Sequence, residues 1–147
     1  MKIFIDGDGC PVKNETLTVA KQFLIPVVLV TSFDHYSTKN EAEDFTTVYV
    51  DRGVDSADYK IVALTAPGDV AITQDYGLAS LLLGKGVQVL HQNFVYQKET
   101  IDFLLQTRYL GQQQRKNHQR QKGPAPFTKE DRVAFKQMLT AVLQVEK

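Results

Sequence analysis

Five short apolar runs alternate along this chain with segments of helical pattern, and that alternation constrains the fold class before any single residue does. The runs are residues 2–6 (KIFID), 27–31 (VVLVT), 46–50 (TTVYV), 69–73 (DVAIT) and 87–90 (VQVL). They are rich in β-branched residues, too short for helices, and mostly apolar at consecutive positions, as strands covered on both faces are. Pro11 opens a helix that runs to about residue 23, with Leu17, Ala20 and Leu24 on its apolar stripe, before Ile25-Pro26 breaks it. Asp55 or Ser56 caps a second helix, which stops near Thr65 ahead of Pro67-Gly68. A third starts at Asp75 and is ended by Gly84, and a fourth covers residues 98–110. Such alternation implies a single three-layer α/β/α domain with a mostly parallel sheet of about five strands.

The end of the chain has a different character. Residues 111–126 hold five glutamines and five basic residues or histidine, with Ala125 the only aliphatic. The expected organisation is an α/β body over residues 1–110, a basic polar arm over 111–127 and a C-terminal helix over 128–147. That helix begins with Thr128-x-x-Asp131, a variant of the capping box. The net charge of zero hides a division: residues 1–101 carry 8 Lys/Arg against 13 Asp/Glu, and residues 102–147 carry 9 against 4. An acidic body with a basic C-terminal third suits a metal-using nucleic-acid enzyme. It equally suits salt bridges between two parts of one domain. No apolar run approaches the roughly 20 residues that span a bilayer, so no membrane partner is expected. The opening MKIFIDGDGC reads as a buried strand rather than a signal peptide. One cysteine excludes an internal disulfide and suits a cytoplasmic protein.

The chemistry concentrates at Asp6-Gly7-Asp8-Gly9-Cys10-Pro11. In open α/β sheets the active crevice lies beyond the carboxyl ends of the strands, where connections part to opposite faces. Asp6 ends the first strand there and Asp8 stands two residues on. Two carboxylates this close repel unless a cation or a proton lies between them. Mg²⁺ and Mn²⁺ favour such oxygen ligands. The plainer alternative makes Asp8 a helix cap and Asp6 an acceptor of backbone N–H groups. Thr73-Gln74-Asp75 repeats the arrangement after the fourth strand. With strand order 3-2-1-4-5, strands one and four are neighbours and Asp6 and Asp75 face one crevice. Alone, Asp75 is an ordinary helix cap. Asp55 and Asp58, in the first turn after strand three, are cap or dipole residues unless recruited to the metal. Cys10 lies near a helix N-terminus, but no histidine stands in a nucleophile–base motif with it, and it reads as a small turn residue. In the arm, Arg115, Lys116, Arg120 and Lys122 can grip phosphates without sequence preference, or serve a loop or an assembly contact between copies of the chain.

Ile5-Asp6-Gly7-Asp8-Gly9-Cys10-Pro11-Val12 resembles the D-x-D-x-C-P-V opening of the YaiI/YqxD family of small bacterial proteins. Gly53-Val54-Asp55-Ser56-Ala57-Asp58, the segment from Gly68 through Thr73-Gln74-Asp75 to Ala79, and Gly123-Pro124 with Phe127-Thr128 extend the resemblance over nearly the whole chain. That family is placed in the PIN-like superfamily of metal-dependent nucleases. The resemblance implies a PIN-like parallel sheet and an acidic pocket for Mg²⁺ or Mn²⁺ that activates water against a phosphodiester in RNA or DNA. Asp6 and Asp75 match the acids of strands one and four, while Asp55 and Asp58 stand where a helix-borne acid belongs. Thr73 and Cys10 are supporting positions. Two other readings stay open: a haloacid-dehalogenase-type phosphatase, whose first motif Asp-Gly-Asp-Gly also resembles, and a non-catalytic PIN-like binding module.

Overall fold

The computed structural model describes residues 1–7, 10–32, 46–50, 56–103, 105–106 and 127–145. β1 (Ile3–Asp6) lies at the centre of a five-stranded sheet. β2 (Val27–Ser32) pairs with it on one side, Ile3 opposite Val27, and β3 (Thr46–Val50) flanks β2. On the other side Ile3 stands opposite Val70 of β4 (Val70–Ile72), and β5 (Gln88–Leu90) closes the edge. The order is β3-β2-β1-β4-β5, and every pair is parallel.

Because side chains alternate along a strand, the continuous apolar runs supply two cores. Ile3 and Ile5 of β1 join Leu29 and Ile72 under α1 (Lys13–Phe23) and α4 (Lys129–Val145). Phe4 joins Val30, Ala71 and Val89 under α2 (Ser56–Leu64) and α3 (Tyr76–Lys85), with Tyr96 and Ile101 beside them. Residues 98–103 are also helical. The result is the three-layer α/β/α arrangement. From α4, Phe135, Leu139 and Leu143 are almost fully buried, four residues apart on one helical face. Burial of each contributes about 1.5–3 kcal/mol. Arg132 adds a polar tie to α1: its Nη1 donates to the Pro11 carbonyl at 2.7 Å and to Glu15 Oε1 at 3.0 Å. This ion pair joins the basic C-terminal third to the acidic body. Thr128 and Asp131 exchange reciprocal backbone bonds of 2.9 and 3.1 Å, the capping box read from the sequence.

Three local expectations are corrected. Leu24 is 91% exposed, not part of the apolar stripe. It takes the left-handed conformation at the end of α1 (φ 56°), which turns the chain away, and the buried face carries Thr16, Val19 and Ala20 instead. Pro11 lies in the turn before α1, which starts at Lys13 with Val12 as its N-terminal cap. Gly84 is inside α3, and Gly86 ends that helix at φ 89°, a conformation glycine adopts without steric cost. The arm (111–126), residues 33–45 and the end of the fourth expected helix (107–110) lie outside the described residues.

Candidate functional site

Connections from β1 and β4 leave to opposite faces of the sheet, so the switch point opens between these two neighbours at their carboxyl ends. Thr73, just past β4 and 3% exposed, ties the two strand ends together. Its hydroxyl donates to Asp6 Oδ2 at 2.9 Å and accepts the Asp75 N–H at 3.0 Å. The backbone N–H can only donate, so the hydroxyl oxygen accepts from Asp75 while its hydrogen is directed at Asp6 Oδ2. Thr73 is itself fixed from both sides, its N–H on the Leu90 carbonyl at 3.0 Å and its carbonyl receiving the buried Tyr96 hydroxyl at 3.2 Å. Beside it the side-chain amide of Gln74 donates to that of Gln92. Gly7 runs so close to β2 that a Cβ there would stand 2.8 Å from Leu29 Cδ1 and 3.1 Å from the Val30 carbonyl oxygen. Bare backbone at this position lets the chain leave β1 beside Val30, whose carbonyl accepts the Gly7 N–H at 2.8 Å.

Asp75 is the N-terminal cap of α3, its Oδ1 accepting from Gly77 N–H at 2.8 Å and Leu78 N–H at 3.2 Å. A carboxylate offers about four lone-pair positions, so capping and ligation are compatible in one residue. Asp75 and Asp58 border the same groove, an opening of about 480 Å³ between α2 and α3. Asp6 borders a separate crevice of about 10 Å³ with Cys10, Thr73 and Gln92, room for about one water. Asp6 and Asp75 therefore share one sheet edge and one threonine, but their carboxylates line separate openings, and Asp58 borders the one that holds Asp75. Asp8, Asp55, Arg115, Lys116, Arg120 and Lys122 lie outside the described residues. Asp69, the acid that precedes β4, lies at the opposite edge, where it accepts from Lys2 N–H at 3.0 Å and Ala66 N–H at 2.9 Å.

Burial pushes the Cys10 thiol up to about 11, against the Val12 backbone bond that lowers it, and the charges of Asp6 and Glu15 add to the rise. The thiol is protonated at neutral pH, which suits a packing residue and not a nucleophile. An aromatic cluster that sequence reasoning missed stands behind Thr73. Phe94 stacks on His91 at 4.4 Å and 6°, with Tyr76 and Tyr96 edge-on or tilted around them. Burial lowers the His91 pKa, and its Nδ1 accepts the Asn93 N–H at 3.1 Å, so the neutral ring carries its proton on Nε2. The residues come from the start of α3 and the stretch after β5, and only the β4–β5 pairing brings them together.

Among the described residues no three of His, Cys, Asp and Glu form a cluster able to hold a metal ion. The crevice gathers the Asp6 carboxylate, the Thr73 hydroxyl and the amide groups of Gln74 and Gln92, with a protonated thiol beside them, while the Asp75 carboxylate lines the separate groove between α2 and α3. That oxygen chemistry fits Mg²⁺ or Mn²⁺ and not a soft metal.

The model of the uncharacterized YaiI/YqxD family matches residues 4–145. The chain belongs to this family. A UPF0178 protein of Enterococcus faecalis (strain ATCC 700802 / V583) is 55% identical over 145 residues, covering 98% of each chain. UPF0178 proteins of Bacillus thuringiensis subsp. konkukian (strain 97-27) and Bacillus anthracis are each 49% identical over 144 residues, 97% of this chain and 99% of theirs. No solved structure matches the chain. The family match spans both the Asp6 edge and α4, so strand ends and C-terminal helix belong to one family unit. Among the described residues no helix is long and apolar enough to cross a membrane.

Proposed function

We propose that this member of the YaiI/YqxD family is a Mg²⁺- or Mn²⁺-dependent nuclease or related phosphodiesterase, acting on RNA or DNA in the cytoplasm. The observation that carries the reading is the Thr73 bridge, whose hydroxyl joins the Asp6 carboxylate to the backbone N–H of Asp75 at the switch point. Asp6, Asp8 and Asp75 would hold the ion, with Asp55 and Asp58 toward the α2 side. A bound divalent ion supplies Lewis acidity toward the phosphodiester and makes water a nucleophile near neutral pH. Thr73 orients the Asp6 carboxylate, and the Tyr96 hydroxyl keeps Thr73 in place. Cys10 stays protonated, so the chain brings no thiolate to the reaction. Arg115, Lys116, Arg120 and Lys122 would hold phosphates outside the acidic edge.

The test is cleavage of end-labelled single-stranded and duplex RNA and DNA in Mn²⁺, comparing the natural chain with Asp6→Asn and Asp75→Asn. The reading expects cleavage that needs the ion and falls at least a hundredfold in both variants. A natural chain that binds these nucleic acids in Mn²⁺ and never cleaves them would make it a non-catalytic binding module. Replacing the four arm residues with glutamine should flatten the salt dependence of binding by about 0.7–0.9 in log–log slope per lost phosphate contact.

A further inference from the structure

A third opening lies where the stretch after β5 meets α4. Gln92 and Asn93 form one side of it, and Asp131, Ala134, Phe135 and Met138 form the other. Those four recur at i, i+3, i+4 and i+7, so they are a single stripe of the helix. The volume of about 350 Å³ falls within the range of small-molecule sites, about 300–1,000 Å³. Gln92 also lines the Asp6 crevice, so the two openings meet at its side chain. The polar groups of this pocket have capacity beyond what the fold uses. The Gln92 amide oxygen accepts from Gln74, which leaves both hydrogens of Nε2 to donate. Among the described residues Asp131 accepts only the Thr128 N–H, on Oδ2 at 2.9 Å, so Oδ1 is a further acceptor. Asn93 adds an exposed amide, with a donor and an acceptor.

We propose that this pocket binds a nucleobase carrying an exocyclic amino group, as a free nucleoside or as one base of a strand. The inference goes beyond the nuclease reading, since neither the pocket nor an uncharged base needs an ion. One carboxylate and no cationic side chain line the pocket, which disfavours an anion and favours a neutral ring with N–H donors. The wall of Ala134, Phe135 and Met138 meets the apolar part of the ring, and a thioether is a favourable neighbour for an aromatic system. The amides of Gln92 and Asn93 match the alternating donors and acceptors of a base edge, as such amides do when they read adenine. The amino group supplies the donor that Asp131 accepts, the pairing carboxylates make with cytosine N4. A base with a carbonyl at that place would set two oxygen acceptors against each other. A hydrocarbon ligand would leave three polar side chains without partners, which is costly once water is displaced.

The experiment titrates the full chain in EDTA, so that binding is read without an ion and without cleavage. Two pairs of nucleosides exchange the amine for a carbonyl at nearly constant size: cytidine against uridine, and adenosine against inosine. The amino member of each pair should bind about five- to a hundredfold more tightly. Asp131→Asn keeps an oxygen for the Thr128 N–H and should lose most of that preference, because its amide can turn an N–H toward the carbonyl. Ala134→Trp, at an exposed helix position, fills the pocket and should abolish binding with the melting temperature nearly unchanged. Short single strands of cytosine and of uracil, compared in the same way, identify the source of the base. A preference shown by the nucleosides assigns the pocket to a free ligand, and one confined to the strands assigns it to a base of a strand. Equal affinity within both pairs and both strands, or no binding of any probe, would overturn the site. A preference that survives both substitutions would overturn it too. None of these results bears on cleavage in Mn²⁺, so the nuclease reading is tested separately.

Discussion

Thr73 and Asp6 are 67 residues apart in the chain, and the hydroxyl of the first donates to the carboxylate of the second at 2.9 Å. The bond crosses between adjacent parallel strands at the point where their connections diverge. The same hydroxyl oxygen accepts the Asp75 N–H, so one side chain links both strand ends.

Thr73→Val removes that hydroxyl at nearly constant volume and leaves a half-buried carboxylate oxygen and a backbone N–H without it. The expected loss is about 2 kcal/mol or more by urea denaturation, since each unsatisfied group costs about 1–3 kcal/mol. Thr73→Ser keeps the bond and loses one buried methyl, about 0.8 kcal/mol. Equal losses in the two variants would reduce Thr73 to a packing residue.

Cys10 should react slowly with iodoacetamide in the folded protein at pH 8, because its thiol titrates at about 11. Unfolding in urea should raise the rate to that of a free cysteine. Cys10→Ser should retain metal-dependent cleavage. Rapid alkylation in the native state, with loss of cleavage in Cys10→Ser, would restore it as a nucleophile.

His91 gives a pH dependence of defined sign. Burial lowers its pKa below the ordinary 6.5, so between the folded and unfolded values the unfolded chain binds more protons. Its contribution is complete above about 6.5, declines as pH falls through that value and levels off below the folded pKa. Melting temperatures of the natural chain and His91→Phe, followed from neutral to acidic pH, should diverge in slope over that window. Parallel curves would contradict the burial argument.

Arg132→Gln should cost about 1–2 kcal/mol, from a partly buried hydrogen bond to Pro11, an ion pair with Glu15 and a ring contact with Phe127 at 5.1 Å. Most of the loss should persist in high salt, because the Pro11 carbonyl is neutral. Full recovery by salt would assign the tie to the Glu15 pair alone.

The sheet was legible because strands buried on both faces must be apolar at consecutive positions, as Ile3, Phe4 and Ile5 are. Asp6 was legible as the acid that ends β1, and Asp75 as the acid between β4 and the helix that follows it. The errors came where pattern and tertiary context disagree. Leu24 fits the helical period but falls beyond the last turn, and Thr16 looked polar although its hydroxyl is satisfied by the Val12 carbonyl at 2.8 Å. Gly84 and Gly86 are equally good stops in sequence, and only the second has positive φ. The aromatic cluster behind Thr73 and the pocket between Gln92 and α4 had no local signal, since each joins residues from separate elements.

Calorimetric titration of Mn²⁺ into the natural chain and Asp6→Asn tests directly whether the Asp6–Thr73–Asp75 edge holds a divalent ion, as proposed. Asparagine keeps an oxygen that accepts the Thr73 hydroxyl, so the variant should fold with stability equal to or above that of the natural chain in the absence of metal. It should bind Mn²⁺ at least tenfold more weakly, because a neutral amide is a poorer ligand than a carboxylate. Unchanged Mn²⁺ affinity together with a large loss of stability would make Asp6 a structural acceptor and contradict the account.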